Sequence, residues 1–124
     1  MTLKRSFLRD DLKKENLIVQ LTFDLAVATI KFCTLLEELR KWSFANQLLR
    51  AAVSIGANVK EAQNAESKAD FIHKMKIAAK EAEEVEYYFE LCNAADELPN
   101  AEELLEKTKA VCRVLNKIIA SSKQ

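Results

Sequence analysis

Few residues in this chain of 124 have types and spacing suited to catalysis or metal binding. His73 is the only histidine. A catalytic histidine needs a nucleophile or an orienting carboxylate, and a zinc site needs further histidine or cysteine ligands. Asp70 and Lys74 are close to His73 in sequence but do not complete either set. We therefore interpret His73 as an ordinary surface or interface residue.

Five glutamates between Glu81 and Glu90 are the densest group of carboxylates. A two-metal site in a helical bundle needs Glu-x-x-His on two helices, and the sequence has no Glu-x-x-His. These carboxylates are better explained as a hydrated helix face. The single glycine cannot form a phosphate-binding loop. The sequence predicts no catalytic, metal or cofactor site, and no enzymatic activity.

The composition indicates long helices joined by short loops. There is one glycine and one proline, and charged residues make up 31% of the chain. We expect a single domain over residues 1–124, with loose ends at about 1–10 and 121–124. Nineteen basic and nineteen acidic residues give zero formal charge, so bulk electrostatics predicts no polyanionic partner.

The first residues lack the apolar segment of a signal peptide, and no run approaches the roughly 20 apolar residues that span a bilayer. We therefore expect no membrane partner. The three cysteines are an odd number without metal-type spacing. Reduced core thiols in the cytoplasm are the interpretation they favour.

Apolar residues recur at steps of three and four in four segments, which predicts an all-α, antiparallel up-down four-helix bundle. The first helix should run from near Lys13 to about Arg40. The second should follow an N-cap at Ser43 and run from about Phe44 to Asn64. The third should start at a capping box of Ser67 and Asp70, and the fourth should follow an N-cap at Asn100. The predicted core positions are Ile18, Leu21, Leu25, Ala28, Phe32, Leu35, Leu39, Phe44, Leu48, Ala51, Ile55, Val59, Ala62, Phe71, Met75, Ala78, Ala82, Val85, Phe89, Cys92, Leu104, Val111, Leu115 and Ile118.

Gly56 lies in the middle of the second helix, where glycine costs roughly 1 kcal/mol relative to alanine. Close contact with a neighbouring helix is one explanation, and a notch for a ligand is the other. Ser54, Gly56, Asn58 and Glu61 form the motif around it. Asn58 either bonds to another helix or subunit, or is simply exposed.

Two stretches carry a family resemblance: QLLRAAVSIGANVKEA (residues 47–62) and SKADFIHKMKIAAKEAEEVEYYFELC (residues 67–92). They resemble the four-helix-bundle proteins encoded in intervening sequences of bacterial 23S ribosomal RNA genes. The resemblance implies a homopentameric ring without established enzymatic activity, acting as a scaffold or adaptor near RNA or a ribonucleoprotein. A related branch, the accessory proteins of diversity-generating retroelements, engages nucleic acid through a strongly basic surface. This chain differs from that branch in its zero net charge.

Charge is nevertheless unevenly distributed. The ten acidic residues between Glu81 and Glu106 are not interrupted by a single lysine or arginine. In an up-down bundle the opposite end collects basic residues, which we call the basic pole. It contacts nucleic acid in one interpretation, and consists of ordinary solvated helix faces in the other. The basic pole comprises Lys13, Lys14, Lys60, Lys68, Lys74, Lys76, Arg113 and Lys117.

Self-association has support from the residues themselves. The second helix is apolar beyond one stripe, at Leu48, Leu49, Ala51, Ala52, Val53 and Ile55. The third adds Ile72, Ile77, Tyr87 and Tyr88 outside its main seam. Large apolar patches usually mark contacts, and a closed ring satisfies every copy equally.

Overall fold

The computed structural model describes the backbone of residues 10–124 and the side chains from residue 17 onward. Four helices account for most of it: α1 (Asp10–Glu38), α2 (Trp42–Ala62), α3 (Lys68–Ala94) and α4 (Glu102–Ser122). No strand occurs in this described part. The looseness expected of residues 121–124 stays a prediction, although α4 continues through Ser122.

The helices pack as an antiparallel ring of four. Each helix packs against the next along the chain and α4 packs against α1, whereas the diagonal helices α1 and α3 meet through core side chains. Residues near the end of one helix contact residues near the start of the next. The Cys33 thiol, for example, donates to the Ala45 carbonyl oxygen at 3.5 Å. The all-α up-down four-helix bundle predicted from the sequence is confirmed.

All four helices share one core. Six of the seven positions predicted for α3 are buried, from Met75 to Cys92, and Phe71 is half-buried at the rim. The α2 positions from Leu48 to Ala62 are buried as predicted. Toward the end of the bundle where α1 and α3 finish, the rings of Phe32 and Phe89 meet edge to face, with centroids 5.8 Å apart. Such aromatic pairs add to the stability that their burial alone provides.

Ile18, Leu25 and Phe32 of α1 are buried as predicted, but the last part of the predicted α1 face is wrong. Leu35 and Leu39 are 41% and 47% exposed, whereas Leu36 is fully buried. Thr22 and Thr29 occupy core positions between the apolar residues, and their hydroxyls donate to carbonyl oxygens one turn earlier, at 2.9 and 2.7 Å. These internal hydrogen bonds let threonine be buried without an unsatisfied polar group.

The turn between α1 and α2 shows why the cap predicted at Ser43 is wrong. The Lys41 N–H donates to the Leu36 carbonyl at 2.8 Å, and the Arg40 N–H to the Glu37 carbonyl at 2.9 Å. Arg40 adopts a left-handed backbone with φ of 63°. This is a Schellman motif, usually built on glycine. It carries the chain directly into α2, which begins at Trp42 and leaves Ser43 inside the helix.

The other two caps follow the sequence more closely. The Ser67 hydroxyl accepts a hydrogen bond from the Asp70 N–H at 3.0 Å, so the cap predicted there is confirmed. Asn100 accepts from the Glu102 N–H at 3.2 Å, but the N-cap position belongs to Ala101. The Ala101 N–H is instead held by the side chain of Asn93 at 2.6 Å. That bond places α4 one residue later than the sequence predicts.

Gly56 lies against α1, as the close-contact interpretation expects. A Cβ added at Gly56 would lie 3.6 Å from Thr22 Oγ1 and 3.7 Å from the Thr22 carbonyl oxygen. Both are ordinary van der Waals distances, so a methyl group fits at this position. A longer side chain directed at α1 would meet Thr22.

The three cysteines are free thiols, and Cys33 and Cys92 are buried. Burial raises the pKa of Cys33 to about 11, with a further contribution from Glu37. Burial likewise raises the pKa of Cys92 to about 11. The pKa of Cys112 is raised to about 12, first by burial and then by its hydrogen bond to Glu86 Oε1 at 3.5 Å. All three thiols therefore stay protonated at neutral pH, as unreactive core thiols do.

Replacing Gly56 with alanine should stabilise the fold by up to about 1 kcal/mol, because the methyl group fits and the flexibility of glycine in a helix is removed. Gly56→Leu should destabilise it, because its side chain reaches the α1 backbone. Urea unfolding followed by circular dichroism measures both. The control is Ala57→Gly at the adjacent exposed position, which should cost a similar amount with no contact to α1. A Gly56→Ala variant less stable than the native chain would contradict the 3.6 Å distance between an added Cβ and Thr22 Oγ1.

The thiols should make stability fall at alkaline pH. An unfolded thiol deprotonates near pH 9, whereas the folded Cys33 and Cys92 hold their protons to about pH 11. Their contribution is fully present below pH 9 and is lost as the pH rises through that interval. Unfolding free energies measured under reducing conditions between pH 7 and 10.5 test this. In Cys92→Ala the unfolding free energy should be lower at every pH because of the cavity, but it should fall less steeply at alkaline pH. An unchanged alkaline slope would contradict the raised pKa of Cys92.

Candidate interaction surfaces

The outward side of α1 is the most unusual surface of the bundle. Phe23 is 62% exposed, and Val27 and Ile30 are each 50% exposed. With 3.6 residues per turn, these three project away from the face that Ile18 and Leu25 bury. A helix apolar on nearly every side is normally buried all round. The sequence analysis missed these residues, although their i, i+4, i+7 spacing was visible.

This apolar surface continues onto α2. Thr22 lies against Gly56 and Cys33 lies against Ala45, which sets the register of the two antiparallel helices. That register brings the exposed Val53 and the half-buried Leu49 level with the apolar residues of α1. We call this surface the ridge, and it comprises Phe23, Val27, Ile30, Leu49 and Val53.

A groove opens on the other side of α1, where it packs against α4. This is the sparsest of the four helix pairings. The floor of the groove is apolar, and Lys31 and Lys107 stand on its two sides. Asn100, Glu102 and Glu103 lie at the start of α4, at one end of the groove. We call this surface the groove; its floor is formed by Ala28, Phe32, Leu35 and Leu104.

A polar stripe on α1 separates the ridge from the groove. It contains Gln20, Asp24, Lys31 and Glu38, all exposed. The Gln20 side chain donates to the Asp24 carboxylate at 2.8 Å. The ridge and the groove are therefore two distinct surfaces that face different directions from the same helix.

The apolar residues that suggested self-association in α2 and α3 are mostly used inside the bundle. Leu48, Ala51, Ala52 and Ile55 are buried in the bundle's own core. On α3, Ile72 is half-buried, and Tyr88 packs edge to face on Phe44 with centroids 5.4 Å apart. Ile77 and Tyr87 remain exposed. The exposed apolar surface thus lies chiefly on α1, and Leu49 and Val53 are the residues of the predicted α2 set that join it.

The antiparallel packing brings together the helix ends that carry the basic pole. Lys60, Lys68 and Lys76 are exposed, as are Arg113 and Lys117. The Lys68 ammonium group donates to the Gln124 carbonyl oxygen at 2.8 Å, which joins the start of α3 to the end of α4. Arg113 lies near the middle of α4, so the basic residues extend along the bundle and do not form one compact cluster.

Acidic groups also lie at this end. Lys74 is half-buried and pairs with Asp70 at 3.1 Å, an interaction that lowers the pKa of Asp70. Glu61 and Glu66 are exposed beside the α2–α3 turn. The two remaining residues of the basic pole are Lys13 and Lys14. They lie in α1, and their side chains are outside the described part of the chain.

Arg50 lies beside acidic residues of α3, a contact that the sequence did not indicate. Arg50 reaches from α2 to Glu81 at 3.0 Å and to Glu84 at 2.8 Å on α3. These hydrogen bonds raise the pKa of Arg50 above its usual value. Part of the acidic run is thus neutralised within the subunit, across the α2–α3 interface.

Asn58 fits neither alternative considered for it. Its amide donates to the Ser54 carbonyl oxygen at 2.9 Å and to the Ser54 hydroxyl at 3.2 Å. Both bonds stay within α2, and the side chain is half-buried. Glu61 at the end of the motif is exposed. Gly56 thus faces α1, whereas Ser54 and Asn58 bond to each other on another side of α2.

The arrangement offers no assembled centre for chemistry. Among the side chains that the structure describes, no group of three or more histidine, cysteine, aspartate or glutamate residues is placed to hold a metal ion. His73 is exposed on α3. What the surfaces offer is contact area: an apolar ridge, an apolar groove flanked by lysines, and exposed cations at one end.

One part of α1 bears on the expectation that the chain has no membrane partner. Residues Leu17–Glu38 are long and apolar enough, by length and composition, to cross a membrane. The sequence analysis overlooked this run because isolated polar residues interrupt it. Core helices of water-soluble proteins pass the same test, so the observation is weak support for a membrane span.

Comparisons with known proteins bear on the whole bundle. The family model described as 23S rRNA-intervening sequence protein matches residues 14–117. No curated protein matches significantly. A crystal structure of a protein with unknown function from the S23 ribosomal protein family of Bacteroides thetaiotaomicron is similar, with 33% sequence identity and a TM-score of 0.79. The similarity covers 86% of this chain and 98% of that one. The chain therefore belongs to the 23S rRNA-intervening sequence protein family.

Proposed function

We propose that this protein is a non-enzymatic scaffold that assembles with copies of itself into a closed ring. The ridge on α1 and α2 is the observation that carries this proposal. The resemblance noted in the sequence supports five copies, and an adaptor role near ribosomal RNA or another ribonucleoprotein. Free thiols with raised pKa values support residence in the reducing cytoplasm.

The ridge leaves apolar side chains exposed to water, and burying them would favour association. Fully burying a valine, leucine, isoleucine or phenylalanine side chain stabilises by about 1.5–3 kcal/mol. The ridge residues of α1 are half exposed or more, so each keeps a large part of that energy available for association. Association itself costs on the order of 4–15 kcal/mol, so several such residues must be buried together. A contiguous ridge provides them, whereas scattered exposed residues would not.

A second copy of this chain is the favoured partner for the ridge, because most soluble oligomers are closed, symmetric assemblies of a single kind of chain. A catalytic role has less support. The thiols are protonated, and the strongest ionic contacts of the described residues link Arg50 to two carboxylates within the subunit. Such contacts stabilise structure without preparing a group for reaction.

Light scattering coupled to size exclusion should give a mass several times the 14.1 kDa of one chain, with five times as the expected value. Phe23→Ser should lower that mass or raise the concentration needed for assembly, because it removes the most exposed ridge side chain. Tyr87→Ser is the matched control, since Tyr87 is 57% exposed but lies on α3 away from the ridge. A native chain that remains monomeric at tens of micromolar would overturn the proposal.

Direct binding of nucleic acid by the basic pole is the second candidate. It is favoured by Lys60, Lys68 and Lys76, which are exposed and form no ion pair with a carboxylate among the described residues. Lysines of this kind add affinity through release of counterions from phosphates.

Gel-shift titration with a structured RNA hairpin at 50–200 mM salt tests this candidate. Affinity should fall steeply with salt, and reversing Lys60, Lys68 and Lys76 to glutamate should weaken it at least tenfold. Lys109→Glu is the control, because Lys109 lies on α4 beside Glu106, at 3.8 Å, and outside the basic pole. Absence of binding at the lowest salt would remove this candidate and leave the scaffold proposal intact.

A further inference from the structure

We propose that the ridge of one copy seats in the groove of the next, so that copies join head to tail. This inference rests on the proposed self-assembly and goes further by naming the two surfaces that meet. The groove is the recess between α1 and α4 floored by Ala28, Phe32, Leu35 and Leu104. Its occupant is a second copy of this chain.

The positions of the two surfaces favour this pairing. They lie on opposite sides of the polar stripe of α1, so they face different directions from one subunit. A two-fold contact would join one patch to the same patch on its partner. Two unlike patches facing different directions suit a heterologous contact, which repeats until the ring closes.

A projecting row of apolar side chains suits an apolar recess. Phe23, Val27 and Ile30 follow the i, i+4, i+7 spacing with which an amphipathic helix places its anchors in a hydrophobic groove. The groove is formed where α1 and α4 pack least closely, with Leu35 41% exposed beside it. Seating the ridge there would bury the apolar residues that each surface alone leaves in water.

Charge complementarity points the same way. The groove is acidic at one end, where Glu102 and Glu103 line it. Away from that end it is lined by Lys31 and Lys107, whereas Asp24 is exposed on α1 beside the ridge and Glu37 beyond its end. None of these last four residues forms an ion pair among the described residues. Opposite charges around an apolar centre set orientation and disfavour wrong partners.

Mixing two variants tests the pairing. A ridge variant, Val27→Asp, keeps an intact groove, and a groove variant, Leu35→Asp, keeps an intact ridge. Each alone should fall to the 14.1 kDa of a single chain. Their equimolar mixture should form a one-to-one heterodimer and stop there, because only one intact contact can form. Native mass spectrometry with one variant isotopically labelled identifies the pair.

Both substitutions lie at exposed positions, and thermal unfolding by circular dichroism checks that each variant folds. Charge reversal provides a second measurement on chains with an unaltered apolar surface. Lys31→Glu with Lys107→Glu should weaken assembly at least tenfold, and adding Asp24→Lys with Glu37→Lys should restore most of it. A structural defect would not be rescued in this way.

The outcomes separate the two proposals. A native chain that assembles while the mixed variants stay monomeric overturns the ridge-and-groove pairing and leaves self-assembly standing. A native chain that stays monomeric overturns both. Variants that each keep the native assembly mass, or a ridge that binds anionic lipid vesicles in preference to a second copy, would also overturn the pairing.

Discussion

The contact between α1 and α2 at Thr22 and Gly56 determines which side of α1 faces the core. The small residues in the middle of α2 let the two helices approach, and Thr22 fits that space without leaving its hydroxyl unsatisfied. Once Thr22 is inside, helical geometry places Leu25, Thr29 and Leu36 inside with it. The same geometry turns Phe23, Val27 and Ile30 outward. The apolar exterior of the subunit is therefore a consequence of how its interior is packed.

The sequence predicted the helices well where polar and apolar residues contrast. In α3 a 3-4-3-4-3 spacing from Met75 to Cys92 is set among charged residues, and every position in it is buried. In α1 the contrast is missing, since apolar residues occur on all sides and threonines fill two core positions. Periodicity alone could not choose between Leu35 and Leu36. The start of α2 was mispredicted for a different reason: an arginine occupies the left-handed position where glycine would have signalled the turn.

The candidate surfaces were only partly accessible from the sequence. The basic pole followed from topology, because antiparallel helices bring alternate ends together. The contact between Arg50 and two glutamates depends on tertiary structure that no local pattern encodes. Asn58 forms its bonds within its own helix because Ser54 lies one turn away, an option that the sequence showed but that looked less specific than an interhelical bond. A four-helix bundle hosts many functions, so the surfaces and not the fold support the proposals.

The tight link between α1 and α2 has a consequence for how copies can meet. Only residues 39–41 join the two helices, and two backbone hydrogen bonds close the turn around Arg40. Exchange of α1 between subunits would require this link to extend and both bonds to break. The same extension would relieve the left-handed backbone of Arg40, and short hinges under strain are those at which domain swapping is favoured. The turn at Arg40 is therefore the point at which exchange of α1 between copies would begin.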